Sequence, residues 1–254
     1  MHLDNNIRKT TDLSILVHGD GFSFCTQNQH HLLEVKEVFP TTETLKSWID
    51  YHQLDQPDVK IIYAQQAAVT VPLPLFEESQ AANYLTGSMR LEDQHQVAFK
   101  PLEANAQVVV YPITKKQETL FSKVFPKAVQ SHYIAELLPA LHAFSSKKGK
   151  KNLFVHLQKD SFDLFLYQGS QLQMHNRFPH QNADEFLYYL FYVTEQFYLK
   201  PEQFDLYFLG KYIANTDYYD GVNEFHPIIN YLDPIYPSVD AIHPMPFLDY
   251  FNGI

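Results

Sequence analysis

Short runs of alternating apolar and polar residues open the chain. In "LSILVHGDGFSFCTQ" (13–27), Leu13, Ile15 and Val17 share one face of a strand, and Phe22 and Phe24 share one face of the next. His18-Gly19-Asp20-Gly21 between them is turn chemistry, so the stretch predicts a β-hairpin. "HHLLEVKEVF" (30–39) predicts a third strand. After Pro40 the period changes. Leu45, Trp48, Ile49 and His52 fall at i, i+3, i+4 and i+7, the stripe of an amphipathic helix, with Thr41 or Thr42 as its cap.

The middle is less regular. Strands are predicted at 59–64, 68–73, 95–100, 107–113 and 127–131, and helices at 75–85, 114–125 and 133–144, the last with Pro139 as an expected kink. "SSKKGKK" (145–151) is a polar, basic, glycine-containing stretch and reads as a boundary loop. Beyond it the opening pattern returns. "NLFVHLQ" is a strand, Lys159-Asp160-Ser161 a turn, "FDLFLYQ" a strand, Gly169-Ser170 a turn and "QLQMHNRFP" a strand. Asn182 and Glu185 then form a capping box before a helix whose Phe186, Leu187, Leu190, Phe191, Thr194, Phe197 and Tyr198 share a broad face. A strand follows at 204–212, and a helix around 218–232 with a further strand completes the chain. Three meandering strands followed by a helix therefore occur twice, which predicts two similar α/β domains, at 1–146 and 150–254. Whether about 58–100 forms a small inserted subdomain is left open.

Composition narrows the partners. The 254 residues include 20 Phe and 17 Tyr, so the core is expected to be strongly aromatic. A formal charge of −10 repels phosphate backbones and anionic lipid, which argues against nucleic acid and membrane insertion. The aromatic run at 186–199 is too short to span a bilayer and reads as a buried helix. One cysteine, Cys25, allows no intrachain disulfide; with a polar start to the chain, this points to the cytoplasm.

Candidate chemistry is sparse. His30-His31 point to opposite faces of a strand, no metal-ligand spacing is present, and Cys25 reads as a small buried residue. His156, His175 and His180 lie near the second hairpin and read as a cluster of satisfied polar residues at a sheet edge. No nucleophile elbow or Walker pattern occurs. The apolar tail "HPMPFLDYFNGI" is expected to dock on its own domain by default, with a partner as the alternative.

The duplicated layout resembles the actin-like ATPase (ribonuclease H-like) fold, two duplicated α/β domains with a cleft between them. "LSILVHGDGFSFCTQ" with "LFVHLQKDSFDLFLYQGSQLQMHNRF" resembles an uncharacterised bacterial family assigned that fold, similar to the actin-like type IV pilus assembly protein and the cytoplasmic L subunit of type II secretion. The resemblance implies an Asp-x-Gly in each hairpin, the glycine admitting a phosphate and the Asp holding Mg²⁺ or its waters. Here the second hairpin reads His156-Leu157-Gln158, with Asp160 and Ser161 in the turn; the first carries Asp20 one place inside its turn; and the adenosine-side glycine pair is reduced to Gly210 before Lys211. Gln158 adds a side chain where backbone should meet phosphate.

The resulting expectation is a catalytically silent scaffold that binds a protein partner, with no cofactor, ATP and Mg²⁺ being possible but not expected. The competing expectation is a nucleotide-binding ATPase or kinase-like switch with rearranged loops. In that case Gly19, Asp20, Gly21, Asp160, Ser161 and Gly210 meet the nucleotide, and Asp160 or Asp163 is the counterpart of Asp20.

Overall fold

The computed structural model describes residues 12–18, 21–26, 29–31, 41–51, 58–158, 160–209, 216–226 and 228–232. The Gly19-Asp20 turn, most of the third predicted strand (32–40), Gly210 and the tail from 233 lie outside these residues.

In chain order the elements are β1 (Asp12–His18), β2 (Gly21–Thr26), β3 (Gln29–His31), α1 (Thr42–Tyr51), β4 (Asp58–Tyr63) and β5 (Val69–Pro72). Next come α2 (Ala81–Leu85), β6 (His95–Leu102), β7 (Gln107–Thr114), α3 (Lys115–Val124), β8 (Val129–His132) and α4 (Tyr133–Ser145). Then follow β9 (Lys151–Leu157), β10 (Ser161–Gln168), β11 (Gln171–Pro179), α5 (Ala183–Gln196), β12 (Phe204–Leu209), α6 (Thr216–Asn223) and β13 (Ile229–Leu232).

The predicted repetition is present strand for strand. One sheet has the order β3-β2-β1-β4-β8 and the other β11-β10-β9-β12-β13. Each begins as an antiparallel meander, and each then continues parallel, β1 with β4 and β4 with β8 in one, β9 with β12 and β12 with β13 in the other. A third sheet has the order β5-β7-β6. By compactness the chain forms two units. The first comprises Met1–Gln66, Leu91–Ala98 and Pro112–Tyr133, and the second Ala67–Arg90, Phe99–Tyr111 and Ile134–Ile254. Within the span 58–100, β4 belongs to the first five-stranded sheet, while β5 and most of β6 belong to the three-stranded sheet, whose middle strand β7 lies beyond the span.

In the first unit, residues 13–17 are buried on both faces of β1, not on the single face that alternation predicts, because β1 lies in the middle of its sheet. α1 starts where Thr41 Oγ1 accepts from Thr44 N at 3.1 Å. α3 starts with a full capping box between Thr114 and Gln117.

In the second unit, Leu153, Val155 and Leu157 of β9, Phe162, Leu164 and Leu166 of β10, and Leu206 and Phe208 of β12 meet Phe186, Leu190 and Val193 of α5 and Tyr219 and Val222 of α6. The buried stripe of α5 is narrower than the predicted face: Phe191 is only half-buried and Tyr198 is exposed. The cap also differs in detail. Asn182 accepts from Glu185 N at 2.9 Å, but the Glu185 carboxylate turns back to Gln181 N rather than Asn182 N. α6 ends at Asn223, and β13 occupies residues placed in the predicted helix. α4 runs continuously through Pro139, and the Leu138 carbonyl accepts from Asn105 Nδ2 and Tyr167 Oη.

α5 ends in a Schellman motif. Leu199 N donates to Thr194 O and Tyr198 N to Glu195 O, with Tyr198 at φ 51°. Glycine is the usual residue at that left-handed position, and a side chain there is strained. Tyr198→Gly is expected to stabilise the protein by about 0.5–1 kcal/mol in urea unfolding; a loss of stability would mean that the Tyr198 side chain contributes packing that its exposure conceals.

Candidate functional site

The sequence-predicted residues separate into three groups. Gly19, Asp20 and Gly210 lie outside the described residues, while Gly21 begins β2 and pairs with His18. Asp160 and Ser161 serve the hairpin itself, since Asp160 O accepts from His180 N at 3.1 Å and Ser161 O from Gln158 N at 2.8 Å. Asp163, His156, His175 and His180 come together, and they draw in Arg177 and Gln158.

This cluster is a product of strand register. In β10, Asp163 lies directly opposite His156 of β9 and Arg177 of β11. Directly opposed residues share a face of an antiparallel sheet. That face also carries Phe154, Phe165, Tyr167 and Tyr207, with Phe144 of α4 packed edge-on against Phe154 and Tyr207. The opposite face is the apolar core beneath α5 and α6.

Asp163 is buried to 2% of its side-chain surface, yet it is densely held. Arg177 Nε donates to Oδ1 at 3.2 Å and Nη2 to Oδ2 at 3.2 Å, a two-pronged grip. His175 Nε2 donates to Oδ1 at 3.4 Å, Gln158 Nε2 donates to Oδ2 at 2.9 Å, and His156 Nδ1 lies 3.9 Å from Oδ2. His175 stacks on Phe165, the ring centroids 4.7 Å apart and the planes nearly parallel. Burial alone would push the Asp163 carboxyl up; Arg177, the His175 hydrogen bond and the nearby His156 outweigh it and hold the carboxyl well below the usual carboxylate range.

A second chain of contacts ties the hairpin to α6. His180 Nε2 donates to the Gln158 carbonyl at 3.0 Å, which leaves Nδ1 to accept from the Tyr218 hydroxyl at 3.2 Å. Gln158 is thus bonded through its N–H, its carbonyl and its side chain.

A further, half-buried ion pair joins Lys100 Nζ to Glu136 Oε1 at 2.6 Å, and burial together with Glu136 pushes the Tyr111 hydroxyl up to about 12. Neither Lys100, Glu136 nor Arg177 was singled out by sequence. Among the described residues, no group of three or more His, Cys, Asp or Glu side chains is arranged to hold a metal ion. Among the same residues, no helix is long and apolar enough to cross a membrane.

Two five-stranded sheets of one topology, each an antiparallel meander continued by parallel strands, define an α/β protein of the actin-like ATPase fold. The chain belongs to the family described as "Protein of unknown function (DUF3822)", whose model matches residues 2–229. It is similar to a crystal structure from Bacteroides thetaiotaomicron described as a protein with actin-like ATPase fold and unknown function. That similarity has a TM-score of 0.80 at 24% identity, over 92% of this chain and 95% of that one. It is also similar to a chain of the PilM-PilN type IV pilus biogenesis complex, with a TM-score of 0.53 at 10% identity over 88% of each chain. No curated protein matches.

The Asp163–Arg177 pair carries a testable consequence. Removing one partner of a buried ion pair leaves an uncompensated charge, so Arg177→Met is expected to lose about 3–5 kcal/mol at neutral pH. Asp163→Asn combined with Arg177→Met should recover much of that loss; equal losses in the single and double variants would refute the assignment. Because the native Asp163 pKa is depressed, its contribution is complete above the unfolded value of about 3.9 and is lost as pH falls below it. In Arg177→Met the buried carboxyl gains a proton more readily, so the gap to the parent protein should narrow in acid.

Proposed function

We propose that the protein is a catalytically silent actin-like scaffold that holds a protein partner and does not turn over ATP. The observation that carries this reading is the second hairpin. In ATPases of this fold, a glycine admits phosphate and a carboxylate faces Mg²⁺ or its waters. Here Gln158 stands at the glycine place with its side chain folded onto Asp163, and both oxygens of Asp163 are gripped by Arg177. A metal ion at Asp163 would have to displace a guanidinium from a buried site, so these residues do not fit Mg-nucleotide. Asp160 is exposed and bound to no described cation. The PilM-PilN complex supports the other half of the reading, as a protein of this fold found together with a protein partner.

Purified protein is expected to show no ATP hydrolysis above background and no rise in melting temperature with millimolar Mg-ATP. A ligand that binds only the native state stabilises it in proportion to the logarithm of its concentration over Kd. A clear upward shift at ATP concentrations far below millimolar would overturn the reading.

A further inference from the structure

α5 buries only Phe186, Leu190 and Val193, and leaves much of its aromatic content in water. Tyr188 and Tyr192, one turn apart, are 64% and 47% exposed, with their rings stacked at 6.4 Å and 20°. Beside them, Phe191 packs at 4.4 Å on Phe225, itself 55% exposed just beyond α6. Gly221 of α6 lets the two helices approach, since a Cβ there would meet Leu187 of α5 at 2.6 Å. Past the end of α5, Tyr198 is 88% exposed in its left-handed conformation.

Along α5 and the segment 216–225 the charges have one sign. α5 and the segment 216–225 together contain Asp184, Glu185, Glu195, Asp217, Asp220 and Glu224, and no Lys or Arg. All six are exposed, and among the described residues no lysine or arginine pairs with any of them. The field is felt locally: burial, then Asp217 and Glu185, raise the Tyr218 hydroxyl.

We propose that the outward surface of α5 and α6 is a docking site for a basic, arginine-bearing segment of a protein partner. This gives the partner of the scaffold reading a chemistry, and rests on that reading. Guanidinium groups stack on tyrosine faces and pair with carboxylates, so one residue type satisfies both features of the surface. Exposed tyrosines are also the side chains that most often anchor interfaces. Charge excludes the other occupants. A second copy in a two-fold contact would set carboxylates against carboxylates. The chain's own tail from 233 holds three Asp and no Lys or Arg. Nucleic acid and anionic lipid are repelled.

The test uses the full chain, without nucleotide, and a fluorescein-labelled amphipathic peptide of about 18 residues, enough for a helix as long as α5, with Arg on one face and Leu on the other. Anisotropy is expected to show saturable binding that weakens with salt. Tyr188→Ala with Tyr192→Ala should weaken it about tenfold, and Asp220→Lys with Glu224→Lys should weaken it comparably. Glu77→Lys with Glu78→Lys, the same charge change on another element, should leave it within about twofold. Thermal melts confirm that each variant folds. Absence of peptide binding, equal weakening by the Glu77/Glu78 control, or indifference to the tyrosine changes would each overturn this site while leaving the scaffold reading intact. Stabilisation by Mg-ATP would overturn the scaffold reading without altering these affinities.

Discussion

A carboxylate buried to 2% of its surface must be given a counter-charge or be neutralised, and the second sheet is organised around that requirement. The Gly169-Ser170 turn pairs Gln168 with Gln171 and Tyr167 with Leu172; continued without interruption, that register would set Asp163 against Asn176. The register shifts by one residue between Leu166 and Tyr167, and Arg177 arrives opposite Asp163 instead. A one-residue slip exchanges the two faces of a strand. Without the shift, Arg177 would lie on the face that α5 covers, and Phe178 would leave its contact with Phe162. The irregularity at Gln173 therefore supplies the ion pair and the apolar core together.

The same hairpin holds Gln158 and Asp163 through several partners at once. Gln158 finds partners for both its backbone and its side chain, within the hairpin and at His180 just past the strand that follows. The buried Asp163 carboxylate faces a guanidinium. Two sheets of one topology thus need not retain one chemistry, because topology is set by strand order and chemistry by a handful of side chains at strand ends.

The aromatic wealth of the chain divides between two tasks. Phe154, Phe162, Phe165, Phe186 and Phe208 are buried and contact neighbouring rings, Phe162, Phe186 and Phe208 edge-on or tilted and Phe165 stacked on His175. Tyr188, Tyr192 and Tyr198 face water beside carboxylates. The hydrophobic stripe of α5 is only as wide as the sheet it covers, so the remaining aromatics have no interior to enter.

The sequence by itself determined the repeated strand-strand-strand-helix order and the caps of α1 and α5. Each depends on residues close together in the chain, where alternation, turn chemistry and capping act. The same reasoning overextended the buried face of α5 to Tyr198 and the last helix to 232, since helix ends are decided by competing partners rather than by periodicity. It placed His156, His175 and His180 near one another but not around Asp163, and it passed over Arg177, Lys100 and Glu136. Those pairings belong to the tertiary structure. Asp163 and Arg177 meet through a register offset that no local pattern announces, and Lys100 and Glu136 meet across 36 positions of chain.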